Sequence, residues 1–328
     1  MANPLPHWPQ PDAPLFCGRY RATPEAFVVE ELSGFEPSGA GEHLLLRVRK
    51  RGANTFWVAQ ELARHFGCRP ADVGYCGEKD RHAVTTQWFS LRDPGGAIAV
   101  TCGSGGEGWQ VLEQARHHRK LRRGDHAGNR FRLRLDLDGA PASEAIAAAR
   151  CRLAAGVANY FGPQRFGRDG GNVEQAAAWV AGAKLPPRGP VRGRILSTAR
   201  SLLFNEVVAA RVRHGSLRAA IEGDVITTEG ATGPLWGRGR SATTGFAADL
   251  EAAALEPWRA WCERLEHAGL SQERRPLLLR PAALALEAEQ QALLLNCELP
   301  PGAFVTSVLA ALGDFTDGSG SGDGRDRH

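Results

Sequence analysis

The apolar positions of this chain fall into blocks of different period. In residues 43–49, Leu44, Leu46 and Val48 alternate with Leu45, Arg47 and Arg49, the period of two of a strand with one basic face. Residues 27–31 (Phe-Val-Val-Glu-Glu), 72–76 and 85–91 read as further strands, and in residues 131–135 the apolar Phe131, Leu133 and Leu135 alternate with Arg130, Arg132 and Arg134. Between the first strands the period lengthens: Val58, Leu62 and Phe66 recur at helical spacing, Asn54 is placed to cap the helix and Gly67 to stop it. From residue 142 an alanine-rich helix is expected as far as Tyr160, and helices then dominate to about Leu265, broken by glycine- and proline-rich loops at 185–194 and 230–239. Strand-like runs return at 282–286 and 293–299. A closing helix over 303–312 carries Phe304, Val305, Val308, Leu309 and Leu312 on one face.

This order, sheet then helices then sheet, predicts a mixed α+β protein: a largely antiparallel sheet domain with flanking helices, interrupted by a mainly helical insertion. The expected divisions are an extended, proline-rich lead-in over 1–15, a first part of the sheet domain over 16–154, the insertion over 155–279, a return to the sheet domain over 280–312, and a flexible glycine- and serine-rich tail over 313–328.

Composition narrows the class. With 328 residues, 43% hydrophobic and 23% charged, the chain is that of an ordinary globular protein. It shows no apolar run long enough for a membrane helix and no secretory leader pattern, so a cytoplasmic protein without a membrane partner is expected. Seven scattered cysteines, none in a C-x-x-C pair or at zinc-ligand spacing with a histidine, predict reduced, mostly buried thiols and no metal site. The net charge of +4 permits an anionic partner without demanding one. Three basic runs (Arg47, Arg49, Lys50, Arg51; Arg116, Arg119, Lys120, Arg122, Arg123; Arg188, Arg192, Arg194) would follow a phosphate backbone if they converge, and are solvated surface if they do not. The glycine-rich stretch 103–108 lacks the Lys-Ser/Thr of a phosphate loop and reads as a turn.

The chemistry concentrates in Gly77-Glu78-Lys79-Asp80-Arg81-His82-Ala83, a charged loop expected between two strands. Taken alone, an aspartate beside a lysine on a loop is an ordinary turn former or a solvated ion pair. Its company is different. This stretch, continued by Val84-Thr85-Thr86-Gln87, resembles the nucleophile motif of the TruD family of transfer-RNA pseudouridine synthases. Four other segments match that family in its order: Arg21-Ala22-Thr23-Pro24-Glu25-Ala26-Phe27-Val28-Val29-Glu30-Glu31, Gly128-Asn129-Arg130-Phe131, Asn159-Tyr160-Phe161-Gly162-Pro163-Gln164-Arg165-Phe166-Gly167 and Leu299-Pro300-Pro301-Gly302-Ala303-Phe304-Val305-Thr306-Ser307. The resemblance covers about residues 21–312. Glu78 and Ala127 depart from it, standing where the family more often has an uncharged residue and a lysine.

The resemblance implies a pseudouridine-synthase-type sheet domain with a TRUD-type insertion. It also implies a cofactor-free isomerisation of uridine to pseudouridine in transfer RNA, by the family's habit at uridine 13, with Asp80 as nucleophile. Phe27, Asn129, Phe131 and Phe304 are then the expected substrate-binding residues, and Arg21, Lys79, Arg81 and Arg165 the candidates to pair with the carboxylate or grip a phosphate. Gln164 and Arg168 are further candidates to line the RNA cleft, as are Arg200 and Asn205 on a packed helix. Tyr160 and Phe161 are expected to end a helix, with Gly162 as its cap. A monomer is expected, with transfer RNA as the partner. The rivals are a catalytically inactive RNA-binding module of the same fold and an aspartate-dependent phosphatase built on Asp136-Leu137-Asp138-Gly139. The latter is disfavoured because its strand alternates with arginines and Ala140 stands where the phosphatase motif has threonine.

Overall fold

The computed structural model describes residues 7–320, the Arg168 side chain excepted. The chain divides into two compact units, one built on a large sheet and one mainly helical. The sheet unit comprises Phe16–Arg150, Pro281–Gly302 and residues from Asp314 onward; the helical unit comprises the lead-in to Leu15, Cys151–Arg280 and Ala303–Gly313.

The sheet unit opens with β1 (Phe16–Tyr20), β2 (Phe27–Ser33) and β3 (His43–Arg51). Helix α1 (Thr55–His65) follows. Asn54 caps it by accepting from the Phe56 amide, and Gly67, at φ +68, turns the chain away, the termini expected of it. Its Val58, Ala59, Leu62 and Ala63 pack with Leu44, Leu46, Val48, Phe89, Trp109 and Val111. Fully buried Val58 and Leu62 are each worth about 1.5–3 kcal/mol. Next come β4 (Gly74–Tyr75), β5 (Val84–Arg92), β6 (Gly105–Gly106), β7 (Trp109–His117) and β8 (His126–Leu137). The glycine-rich stretch supplies both β6 and the two-residue turn, Glu107 and Gly108, that leads into β7.

Helix α2 (Ser143–Ala155) stops well short of Tyr160, because Gly156 takes φ +94 and the chain then extends as β9 (Val157–Ala158). Gly162 does not end a helix; it precedes a new one, α3 (Pro163–Phe166), where Pro163 occupies a first-turn position that needs no amide donor. The same logic shortens the loop expected at 185–194 to 185–189: Pro190 opens α5 (Pro190–Arg213), which follows α4 (Gly171–Val180). Helix α5 is buried on most sides, a central helix around which Tyr160, Phe161, Phe166, Trp179, Leu265 and Leu277 gather. Of the loop expected at 230–239, Gly230 and Gly233 instead lie in β11 (Gly230–Leu235), which pairs with β10 (Ile226–Thr227), whereas Gly237 and Gly239 follow it outside the strand. Gly233 has a packing reason: a side chain there would meet Leu277 at 2.7 Å and Phe204 at 3.2 Å. After α6 (Gly245–Leu255) and α7 (Arg259–Glu266), β12 (Glu273–Pro276) pairs with β11, and β13 (Leu278–Leu279) with β9.

The chain returns to the sheet as β14 (Ala282–Glu289) and β15 (Ala292–Leu299), then forms α8 (Val305–Leu312) and β16 (Gly313–Asp317). The order across the sheet is β14-β15-β8-β2-β5-β3-β7-β6, with β1 joined to β8 and β16 and β4 to β5. Strands β2 and β5 run parallel; the β15/β8, β8/β2, β5/β3 and β3/β7 pairs run antiparallel. The expected mixed α+β class with a largely antiparallel sheet is therefore found.

Several boundaries differ from expectation. Helix α8 groups with the helical unit. The lead-in is extended but docked, with the Trp8 indole donating to Glu206 at 2.8 Å and the Tyr160 hydroxyl to the Pro9 carbonyl at 2.8 Å. Part of the expected tail is β16, whose Asp317 is held by an arginine; residues 1–6 and 321–328 lie outside the described residues. Of the cysteines, Cys76, Cys262 and Cys297 are buried whereas Cys17, Cys102 and Cys151 are exposed, so the expectation of mostly buried thiols fails. Among the described residues no helix is long and apolar enough to cross a membrane, and no group of three or more His, Cys, Asp or Glu could hold a metal ion.

Candidate active site

The loop 77–83 lies between β4 and β5, and buried side chains hold its backbone. Gln87 of β5 donates its amide to the Gly77 carbonyl at 2.9 Å, and Thr55, at the first turn of α1, accepts from the Lys79 amide at 3.0 Å. Lys50, at the end of β3, donates to the Asp80 carbonyl at 2.9 Å. Strand register explains why these groups meet. Lys50 pairs with Thr85, Thr85 with Val29, and Val29 with Phe131, so one row of side chains crosses β3, β5, β2 and β8 on the same face.

Arg21 completes the setting from the first motif. It follows β1 in a left-handed conformation, φ 58, which aims its buried guanidinium at two carboxylates: Asp80 at 2.9 Å and Asp317 at 3.0 Å. The guanidinium also lies 4.1 Å from the centre of the Phe27 ring. Burial alone would raise Asp317, but its hydrogen bonds from Ser319 and the Arg21 charge outweigh that and hold its carboxyl below the ordinary value. Burial, with Asp317 adding, pushes the neighbouring Tyr20 phenol up to about 12.

The remaining expected site residues divide. Phe27 is fully buried, with one face taken by Arg21 and Phe131 set edge-on at 6.3 Å, so in this conformation it is a platform for Arg21 instead of an open stacking face for a base. Phe131 is nearly buried. Asn129, paired in register with Glu31, keeps a buried side-chain oxygen with no hydrogen-bond partner among the described residues. Lys79 does not turn to Asp80: its ammonium, 4% exposed, pairs with the Glu31 carboxylate at 2.6 Å beneath the loop. Arg81 and His82 are exposed. In the helical unit, Phe304 sits 5.8 Å from Phe161, and Arg165 lies 5.5 Å over Phe161 and 6.0 Å over Phe304. Burial lowers the Arg165 guanidinium from its usual range.

Several RNA-contact expectations give way to structural roles. Asn205 is fully buried and clamps the Phe161 backbone, accepting from its amide at 2.8 Å and donating to its carbonyl at 3.1 Å. Arg200 donates to the Leu235 and Ser271 carbonyls. The Arg168 side chain lies outside the described residues. The basic strands are not a basic face: Arg47 pairs with Glu30 and Glu113, Arg130 with Glu30 and Glu298, and Arg134 with Asp136 and Glu289. In the second run Arg116 pairs with Asp93, Arg119 with Asp125 and Arg123 with Glu78.

Sequence reasoning missed Glu31, Gln87 and Asp317, and read Lys50 as surface charge. A signal was present for three of them. Lys50 shares the parity of Leu44, Leu46 and Val48 in β3, Glu31 that of Phe27 and Val29 in β2, and Gln87 that of Phe89 and Leu91 in β5, so alternation alone points all three inward. Asp317 had no such signal.

Known proteins agree with the motifs. A family model described as tRNA pseudouridine synthase D (TruD) matches residues 11–184. The tRNA pseudouridine synthase D of Aeromonas hydrophila is 42% identical, over 92% of this chain and 92% of that protein. That of Cellvibrio japonicus is 45% identical over 89% and 88%. A crystal structure of a Methanosarcina mazei protein assigned as tRNA pseudouridine synthase D (TruD) superposes with a TM-score of 0.69 over 94% of this chain and 96% of that one; at 19% identity this likeness speaks for the fold alone. With matched motifs, near full-length relatives and a shared fold, the chain belongs to the TruD family and is a pseudouridine synthase, an isomerase by reaction class.

Proposed function

We propose that the protein converts uridine to pseudouridine in transfer RNA, at uridine 13, with the Asp80 carboxylate as nucleophile. The observation that carries this reading is the Arg21–Asp80 ion pair on a loop whose backbone is tied down by buried side chains, inside two matching family motifs. In the reaction the C1′–N1 bond breaks, the uracil turns, and a C1′–C5 bond forms. The proton on C5 leaves and N1 gains one, so the product is an isomer. Whether the reaction opens by attack on C1′ or by removal of a proton from C2′, the same carboxylate must face the ribose. Arg21 aims it, and the cost of the left-handed backbone at Arg21 is offset by the two carboxylates it reaches.

Asn129 supplies base recognition in this reading. A buried acceptor without a partner is expensive to keep, about 1–3 kcal/mol, unless a ligand satisfies it, and the N3–H of uracil is a donor of the right kind. Phe131 walls the base, Arg81 meets a phosphate, and Phe304 with Arg165 contacts RNA from the helical unit. The test uses transfer RNA carrying tritium at uridine C5. Wild type should release label and Asp80→Asn should release none while still binding the RNA. Equal release by both proteins would refute the nucleophile assignment, and sequencing of the product would locate the modified position.

A further inference from the structure

Lys50 is 1% exposed and makes three hydrogen bonds, to the carbonyls of Ala53 at 2.7 Å, Lys79 at 3.3 Å and Asp80 at 2.9 Å. Among the described residues no carboxylate stands within ion-pair distance of it. A desolvated ammonium held only by backbone carbonyls is a costly way to fill a core position, and an apolar side chain of the same length would fit the parity of β3. What the ammonium does that a methyl group could not is fix carbonyls, and two of the three belong to the nucleophile and the residue before it. Thr55 and Gln87 hold the same loop one and three residues upstream of Asp80, and Lys50 reaches the Asp80 carbonyl itself.

We propose that Lys50 is a positioning residue for catalysis, its buried ammonium setting the orientation of the Asp80 peptide and thereby the direction in which Asp80 presents its carboxylate. The inference rests on Asp80 being the nucleophile. A peptide freed from this tie can rotate, and misplacement by an ångström is enough for a loss of about 10²-fold in turnover. Burial pushes the Lys50 ammonium down to about 8, the Asp80 charge opposing that fall and the Lys79 charge adding to it. Of the other charges around the loop, Glu31 from β2 pairs with Lys79, Arg21 pairs with Asp80, and His126 from β8 faces the Lys79–Glu31 pair. Above that pH the neutral amine grips the carbonyls less strongly.

The experiment measures tritium release and transfer-RNA binding for wild type, Lys50→Met, Lys50→Arg and Asp80→Asn from pH 6.5 to 9.5. Lys50→Met should lose about 10²-fold in kcat with RNA affinity unchanged. Wild-type kcat should fall as pH rises through about 8, and Lys50→Arg, which keeps charge and donors, should retain measurable turnover with that alkaline fall removed. A Lys50→Met protein within threefold of wild-type kcat, beside an inactive Asp80→Asn, would overturn the positioning role alone; an active Asp80→Asn would overturn the nucleophile assignment beneath it. Should Lys50→Met not fold, the wild-type profile decides, and one that stays flat to pH 9.5 overturns the inference.

Discussion

The pair Glu31–Lys79 offers a direct measurement of what holds the loop 77–83 down. The two charges meet at 2.6 Å with side-chain exposures of 0% and 4%, and Glu31 also accepts from the Trp88 amide at 3.2 Å. Removing one partner leaves an uncompensated buried charge, which costs about 3–5 kcal/mol. Against a total stability of about 5–15 kcal/mol for a domain, that is a large fraction. Glu31→Gln is the sharper probe because it keeps an acceptor for Trp88 while deleting the charge; Lys79→Met keeps the apolar stem. Each single variant should lose about 3 kcal/mol. The double variant, with both charges gone, should lose only about 1 kcal/mol beyond wild type, a coupling of several kcal/mol that charges in water cannot produce. Urea unfolding followed by tryptophan fluorescence measures the loss, with buried Trp88 and Trp109 reporting from the sheet unit beside Trp179 and other tryptophans of the helical unit. Singles that each cost less than about 1 kcal/mol, or a double variant whose cost equals their sum, would show that the pair is solvated and that the loop is held by something else.

Further outcomes follow from neighbouring groups. Arg21→Ala and Arg21→Gly should both lower turnover, but the glycine variant should be more stable by about 1 kcal/mol because it relieves the φ 58 backbone, a difference that urea unfolding can resolve. Lys50 should make stability and activity move in opposite directions above pH 8: the unfolded lysine holds its proton to about 10.4 while the native one gives it up near 8. Wild-type stability relative to Lys50→Met should therefore rise by about 2 kcal/mol between pH 7.5 and pH 10, as measured by unfolding at those two values. Gly128→Ala should part β8 from β15, since a side chain there would stand 2.5 Å from the Leu299 carbonyl oxygen. About 1–3 kcal/mol of stability should be lost, and if the adjacent Asn129 recognises the base as proposed, KM should rise.

The features legible in the chain itself were the local ones. Alternation and capping located β2, β3, α1 and β15 because a strand's parity and a helix's caps are properties of consecutive residues, and the motifs around Arg21, Asp80 and Asn129 are contiguous strings for the same reason. The lone proline and glycine signals at 163, 190 and 233 were misread because each residue serves two roles, and which applies depends on neighbours the string does not contain. Proline ends one helix or opens another, and glycine makes a turn or clears space for Phe204 and Leu277. The partners of charge were wholly a matter of tertiary structure. Lys79 stands beside Asp80 in the chain yet binds Glu31, whereas Arg21 reaches Asp80 from across the sheet unit, because placing β2 between β8 and β5 and turning Arg21 left-handed brings distant carboxylates within 3 Å. Sequence proximity sets only which residues share a loop; the free energy of a buried charge depends on what lies within a few ångströms in any direction, and strand order and register decide that.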